Sequence, residues 1–253
     1  LDIVHAHYAI PHATAAYLAQ QILASTPGEA VPRTITTLHG TDITLLGSDR
    51  SYSEIVAFGI EQSDGVTTVS ESLKGDTVRE LKVKCDIRVI PNFVDCDKYQ
   101  RRAVGPLRAS LAPQGEKLVI HVSNFRPVKR VLDCVRVFAE VRKSVDAELW
   151  MVGDGPERGA AEHLAHDLDL THSIRFLGKR NDVPALLREA DVLLMPSEME
   201  SFGLAALEGM SSGVVPVGTN VGGVPELIDD GVSGYLCEVG DVETMAARAV
   251  AVL

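Results

Sequence analysis

An α/β fold of two successive Rossmann-like domains facing a cleft, the first of them incomplete, is predicted by three features of the sequence. Short β-branched runs alternate with segments of helical period, the series stops and restarts, and a proline- and glycine-bearing stretch separates the two series.

The first series places strands at 3–7, 34–39, 66–70 and 88–91, with helical patterns near 14–23, 53–62 and 72–81. Each helical segment is long enough to return the chain for a further parallel strand. The second series places strands at 118–123, 149–153, 174–177, 192–196 and 214–218, all apolar runs with little polar alternation. Such runs suit strands buried on both faces. Between the series, residues 92–115 carry Gly105, Pro106, Pro113, Gly115 and a cluster of charges without sustained period. The domain boundary is set there, giving a partial first domain over 1–104 and a second domain over 105–253. Both ends of the stretch read as lying inside elements, a strand at Leu1–Val4 and a helix around Thr244–Ala247, so a longer parent is expected and this stretch alone is expected to lack activity.

Composition removes several classes. With 253 residues, 45% of them apolar, a large core is available and a peptide-like scaffold is excluded. No apolar run approaches the roughly 18 residues of a membrane span, and no secretory signal is recognisable, which points to the cytoplasm. A net charge of −11 argues against nucleic-acid binding. Cys85, Cys96, Cys134 and Cys237 are scattered without metal-site spacing and read as small apolar filler. Neither Asp95-Cys96-Asp97 in the connector nor His5, His7 and His12 form a convincing metal set, and no cofactor is expected.

Chemistry gathers at the expected strand ends, where ligands bind in such sheets. After 192–196 come Glu200, Ser201, Phe202, Gly203 and Leu204, with Glu208 on the following helix. Glu200 precedes the first turn and Glu208 projects from about the second, so the two carboxylates can address different hydroxyls of one ligand. The amides of Phe202, Gly203 and Leu204 form a candidate anion site, with Gly203 admitting a diphosphate closely. The apolar pattern Leu204, Leu207, Met210 marks the helix. After 118–123 come Asn124, Arg126, Lys129 and Arg130, three cations within five positions. Cations at a helix start call for an anion, and Arg126 and Lys129 can stabilise the charge of a departing nucleoside diphosphate. Weaker candidates are the loop His39, Gly40, Thr41, Asp42 and the turns carrying Gly153, Asp154, Gly155 and Lys179, Arg180.

These motifs together resemble glycosyltransferase family 4, of the two-domain GT-B type, over nearly the whole chain. Within it, the segments at 5–12, 38–44 and 123–126 resemble a branch that moves N-acetylglucosamine from UDP-N-acetylglucosamine to L-malate in bacillithiol biosynthesis, with retention and without a required metal. The resemblance implies that Glu208 binds ribose and Glu200 the donor sugar. It assigns Arg126 and Lys129 to the diphosphate, although they stand closer together than the family's usual pair. His39 would lie at the reacting face of the donor, and Tyr8, Thr41 and Ser70 on the acceptor side. Partners are then small molecules, with no membrane insertion; residues 12–25 contain neither Lys nor Arg. A homo-oligomer is compatible with this reading. The alternatives are another soluble acceptor or a UDP-N-acetylglucosamine 2-epimerase, which needs no acceptor site.

Overall fold

The computed structural model describes residues 1–41, 43, 50–101 and 106–253. Asp42 and Thr44 of the His39 loop, and the boundary at 104/105 with Gly105, lie outside the described residues. Packing divides the chain into a unit Leu1–Asn92 and a unit Phe93–Leu253, a division at the leading edge of the expected connector.

In the first unit, β1 (Ile3–His7), β2 (Arg33–Leu38), β3 (Gly65–Thr68) and β4 (Ile87–Val89) form a parallel sheet in sequence order. Helices α1 (Thr14–Ala24), α2 (Arg50–Glu61) and α3 (Glu71–Leu81) supply the crossovers. The register pairs His7 with Thr37 and Thr37 with Thr67, bringing their side chains to one face. Burial alternates along β2: Thr34, Thr36 and Leu38 are buried, whereas Ile35 and Thr37 are part-exposed. Asp64 fastens the chain ahead of β3 to β2 by accepting from the Thr34 amide at 2.8 Å, and that bond holds its carboxyl below the usual value.

The second unit places α4 (Pro106–Leu111) ahead of β5 (Lys117–Ser123), α5 (Val131–Arg142), β6 (Ala147–Gly153), α6 (Arg158–Asp167) and β7 (Ile174–Gly178). There follow α7 (Val183–Glu189), β8 (Val192–Met195), α8 (Leu204–Ser211), β9 (Val215–Thr219), β10 (Tyr235–Cys237) and α9 (Val242–Val252). The parallel sheet runs β10-β9-β8-β5-β6-β7, so the direction of winding reverses between β5 and β8. Both faces are covered. Val119, Leu149 and Met151 enter one core with Val135 and Phe138 of α5. Leu118, Ile120 and Trp150 enter the other with Leu187 of α7 and Ala206 of α8.

Two expectations change in detail. The short strand β10 is absent from the sequence-based series. Helix α8 buries Ala206 and Gly209, and Leu204 is 43% exposed, so the pattern Leu204, Leu207, Met210 does not mark its buried stripe. A Cβ on Gly209 would stand 3.0 Å from Leu193 Cδ2, and this close approach of helix to sheet selects small residues.

Candidate active site

The reversal between β5 and β8 leaves a crevice at the carboxyl ends of these strands, the position at which open parallel sheets bind ligands. A cavity of about 270 Å³ lies there, lined by His121, Ser123, Asn124, Lys129, Ser197 and Glu200 among others. The turn Pro127–Lys129 presents Lys129, whose Nζ stands 2.5 Å from Glu200 Oε1. Ser197 Oγ donates to the same carboxylate oxygen at 3.0 Å. The Glu198 amide donates to Val128 O at 2.8 Å, so the two loops that carry the pair are joined through their backbones.

Glycines explain how the loops come so close. A Cβ on Gly222 would lie 1.7 Å from Glu200 O, and the Gly223 amide donates to that oxygen at 3.0 Å. The 222–223 turn therefore crosses directly over the backbone of Glu200. Gly153 is similar: its φ is 128°, and a Cβ there would lie 1.8 Å from Ser123 O. Gly153 and Gly155 pack against the Ser123–Asn124 backbone and thereby shape the loop that opens the cavity. Gly203 has φ 93° at the start of α8, and a Cβ would meet Val224 Cγ2 at 3.3 Å and Leu227 Cδ1 at 3.5 Å. Its visible reasons are the left-handed backbone and this packing, in place of the open approach expected for a diphosphate.

His121 is fully buried beneath the Lys129 loop. Its Nδ1 lies 2.9 Å from Leu194 O, which can only accept, so Nδ1 carries the proton. Nε2 then accepts from Ser123 Oγ at 2.8 Å, and Ser123 Oγ accepts from the Phe125 amide at 3.2 Å. Burial pushes the imidazole down to about 4, with Lys129 acting in the same direction, and the ring stays neutral.

The remaining cations of the segment are placed differently. Arg130 Nε donates to Asp133 Oδ2 at 2.7 Å, while Arg126 is exposed at the start of the turn. Lys179 and Arg180 follow β7 on the surface, outside the cavity lining, and Arg180 holds Asp182 through two bonds of 2.8 and 2.7 Å. Ser201 is part-exposed, Phe202 is buried and Leu204 lines the cavity. Glu208 is half-buried; burial raises its carboxyl, and a hydrogen bond from Tyr99 opposes that rise.

In the first unit the structure gathers a cluster at the carboxyl ends of β1 and β2. His7 Nδ1 and His39 Nε2 are 2.8 Å apart, and the Tyr8 and His39 ring centroids 5.1 Å. His5 Nε2 lies 2.7 Å from Thr37 Oγ1, which meets Thr67 Oγ1 at 2.7 Å. Tyr8 has φ 77°, a costly conformation for a bulky residue. Thr41 is exposed nearby in sequence. Ser70 is fully buried and caps α3, its Oγ accepting from the Leu73 amide at 3.1 Å. Among the described residues, no group of three or more His, Cys, Asp or Glu is arranged to hold a metal ion.

Sequence reasoning missed His121, Ser197 and Gly222. The tandem Gly222-Gly223 just after an apolar strand run was a usable signal of a close backbone crossing.

Residues 107–253 match the family model for glycosyl transferases group 1, and residues 1–98 match glycosyltransferase family 4. The chain belongs to the group 1 glycosyl transferases, with the two-sheet α/β fold of the GT-B type. It is 49% identical to the N-acetyl-α-D-glucosaminyl L-malate synthase of Bacillus anthracis over all of this chain and 65% of that protein. A glycogen synthase of Mycobacterium tuberculosis is 28% identical over all of this chain and 60% of its own length. The chain thus spans less than two thirds of these curated relatives. Among solved structures, Anabaena Alr3699/HepE in complex with UDP and glucose has a TM-score of 0.82 at 20% identity, covering 99% of this chain and 72% of its own. At that identity the likeness establishes the fold.

Proposed function

We propose that the protein is a cytoplasmic retaining glycosyltransferase that moves N-acetylglucosamine from UDP-N-acetylglucosamine to L-malate in bacillithiol biosynthesis. The observation that carries the chemistry is the Lys129–Glu200 pair in the cavity at the reversal between β5 and β8. Identity of 49% to the Bacillus anthracis synthase supports the choice of donor and acceptor.

In this reading Lys129, with Arg126, stabilises the diphosphate oxygen that gathers charge as the bond to the sugar stretches, an interaction stronger in the transition state than before it. Glu200 accepts from sugar hydroxyls and Glu208 from the ribose diol. Asn124 and Leu204, which line the cavity, belong to the donor site with Gly153 and 201–203 beside them, and Lys179 and Arg180 are its outlying members. His39 serves the reacting face of the donor. Tyr8 and Thr41 serve the acceptor, with Ser70 acting through the helix it caps. The bond from the anomeric carbon to the diphosphate breaks, the bond to the malate hydroxyl forms on the same face, and the hydroxyl proton passes to the departing phosphate oxygen. The reading assigns no cofactor beyond the donor.

The test is product formation by the full-length protein with UDP-N-acetylglucosamine and a panel of acceptors including L-malate, followed by anomeric assignment by NMR. An α-linked malate product is expected. Transfer to a different acceptor alone would remove malate and keep the class, and epimerised sugar released without acceptor would replace transfer by epimerisation.

A further inference from the structure

Ser197 follows Pro196 just beyond the end of β8 and lines the cavity beside Glu200. It is buried, and its Oγ donates to Glu200 Oε1 at 3.0 Å. Lys129 Nζ donates to the same oxygen at 2.5 Å. Among the described residues, both side-chain bonds of the carboxylate thus fall on Oε1, and Oε2 is the oxygen left to meet a ligand hydroxyl. We propose that Ser197 is a positioning residue for donor-sugar recognition, its hydroxyl holding Oε1 so that Oε2 keeps its aim when Lys129 turns to the diphosphate. This rests on the sugar role of Glu200 given above.

The hydroxyl stands on a fixed support. Ser197 O accepts from Thr219 Oγ1 at 2.5 Å, and Thr219 is the buried last residue of β9. The same threonine hydroxyl lies 3.3 Å from Met195 O, at the end of β8. The backbone on either side of Pro196 is therefore tied to the neighbouring strand. The Glu198 amide donates to Val128 O at 2.8 Å and the Gly223 amide to Glu200 O at 3.0 Å, so the turn from Ser197 to Glu200 is held along its length.

Chemistry separates the two partners of Oε1. Lys129 is charged and, on the roles given above, passes from Glu200 to the diphosphate when the donor binds. A carboxylate left without any anchor would turn about its side-chain torsions, and ordering it again would oppose binding of the sugar. The Ser197 hydroxyl is neutral and its backbone is fastened by Thr219, so its bond to Oε1 persists after the cation has moved. The loop is held at Ser197 through a backbone carbonyl, which any residue supplies; the hydroxyl serves Glu200.

The test is calorimetric binding of UDP and of UDP-N-acetylglucosamine, without acceptor, to the full-length protein and to its Ser197→Ala and Glu200→Ala variants. UDP reports the diphosphate site and the fold, and the ratio of the two affinities reports the sugar. A hydrogen bond to a charged group is worth about tenfold or more in affinity, and a neutral one about threefold. Relative to the unmodified protein, the ratio of UDP-N-acetylglucosamine to UDP affinity is expected to fall about tenfold in Glu200→Ala and about threefold in Ser197→Ala. If it falls in Glu200→Ala and holds in Ser197→Ala, the role of Ser197 is overturned and the sugar role of Glu200 stands. Loss or equal weakening of both ligands in Ser197→Ala assigns the hydroxyl to the fold and overturns the proposal in the same way. If the ratio holds in Glu200→Ala, or the unmodified protein binds neither ligand, the sugar role of Glu200 falls and the proposal with it.

Discussion

Six consecutive residues of β6, Ala147 to Val152, are buried, whereas along β2 buried and part-exposed residues alternate. Both strands lie inside parallel sheets, but within this stretch of chain β6 is buried on both faces and β2 on one. Within the second sheet His121 finds its partners in Leu194 and Ser123, and Glu148 binds Arg175 at 2.7 and 3.1 Å, whereas the buried Trp150 Nε1 has no hydrogen-bond partner among the described residues. In the first sheet, His5, Thr37 and Thr67 form a polar ladder on the part-exposed face. One sheet therefore confines its chemistry to the ends of its strands, while the other also carries polar groups across a face.

The comparison breaks first on stability. Leu149→Ala in β6 should cost about 3 kcal/mol, and Ile35→Ala on the part-exposed face of β2 about 1 kcal/mol. Denaturant unfolding followed by fluorescence of the single tryptophan, the buried Trp150, reads the second unit, and amide exchange in β2 reads the first. Equal costs would remove the distinction.

The next effect concerns pH. Because His121 is held near 4 in the folded chain and returns to about 6.5 when unfolded, the unfolded state binds more protons between these values. Stability of the second unit should fall as pH drops from 6.5 toward 4, by up to about 3 kcal/mol. His121→Gln should flatten that slope in denaturation midpoints measured across the range. An unchanged slope would mean that the ring already protonates in the fold.

At the strand ends, Lys129→Ala in the full-length protein should lower turnover roughly 100-fold, about 2.7 kcal/mol of transition-state stabilisation. Near-normal turnover would remove the diphosphate role. The smallest expected effect belongs to the first unit. Asp64→Asn should cost under about 1 kcal/mol, since the carboxylate is 34% exposed and screened. The Asp64 carboxyl is lowered in the fold, so its contribution is present above pH 3.8 and lost as pH falls below it; exchange of the Thr34 amide would follow that loss.

Most strands were legible because β-branched runs announce them, including the reversal-flanking β5 and β8. Tyr235–Cys237 was not, since three residues at a sheet edge carry no period. Glu200, Lys129 and Asn124 stood out by type and by position after strands. Their pairing across 71 positions did not, because contact between separate loops leaves no spacing in the chain. His121 looked like one polar interruption in an apolar run. The resemblance puts Ser70 on the acceptor side; its cap on α3 depends on a backbone amide, which every sequence has.

The Lys129–Glu200 contact also bears on selectivity. A crevice that matches its cation with its carboxylate offers little to a stray phosphate, which could replace only one of the two partners. On the roles proposed above, a nucleotide sugar brings an anion for one member and hydroxyls for the other, and so exchanges both at once. The Lys129–Glu200 contact would then act as an internal competitor, one that a ligand displaces fully only when its two halves arrive joined.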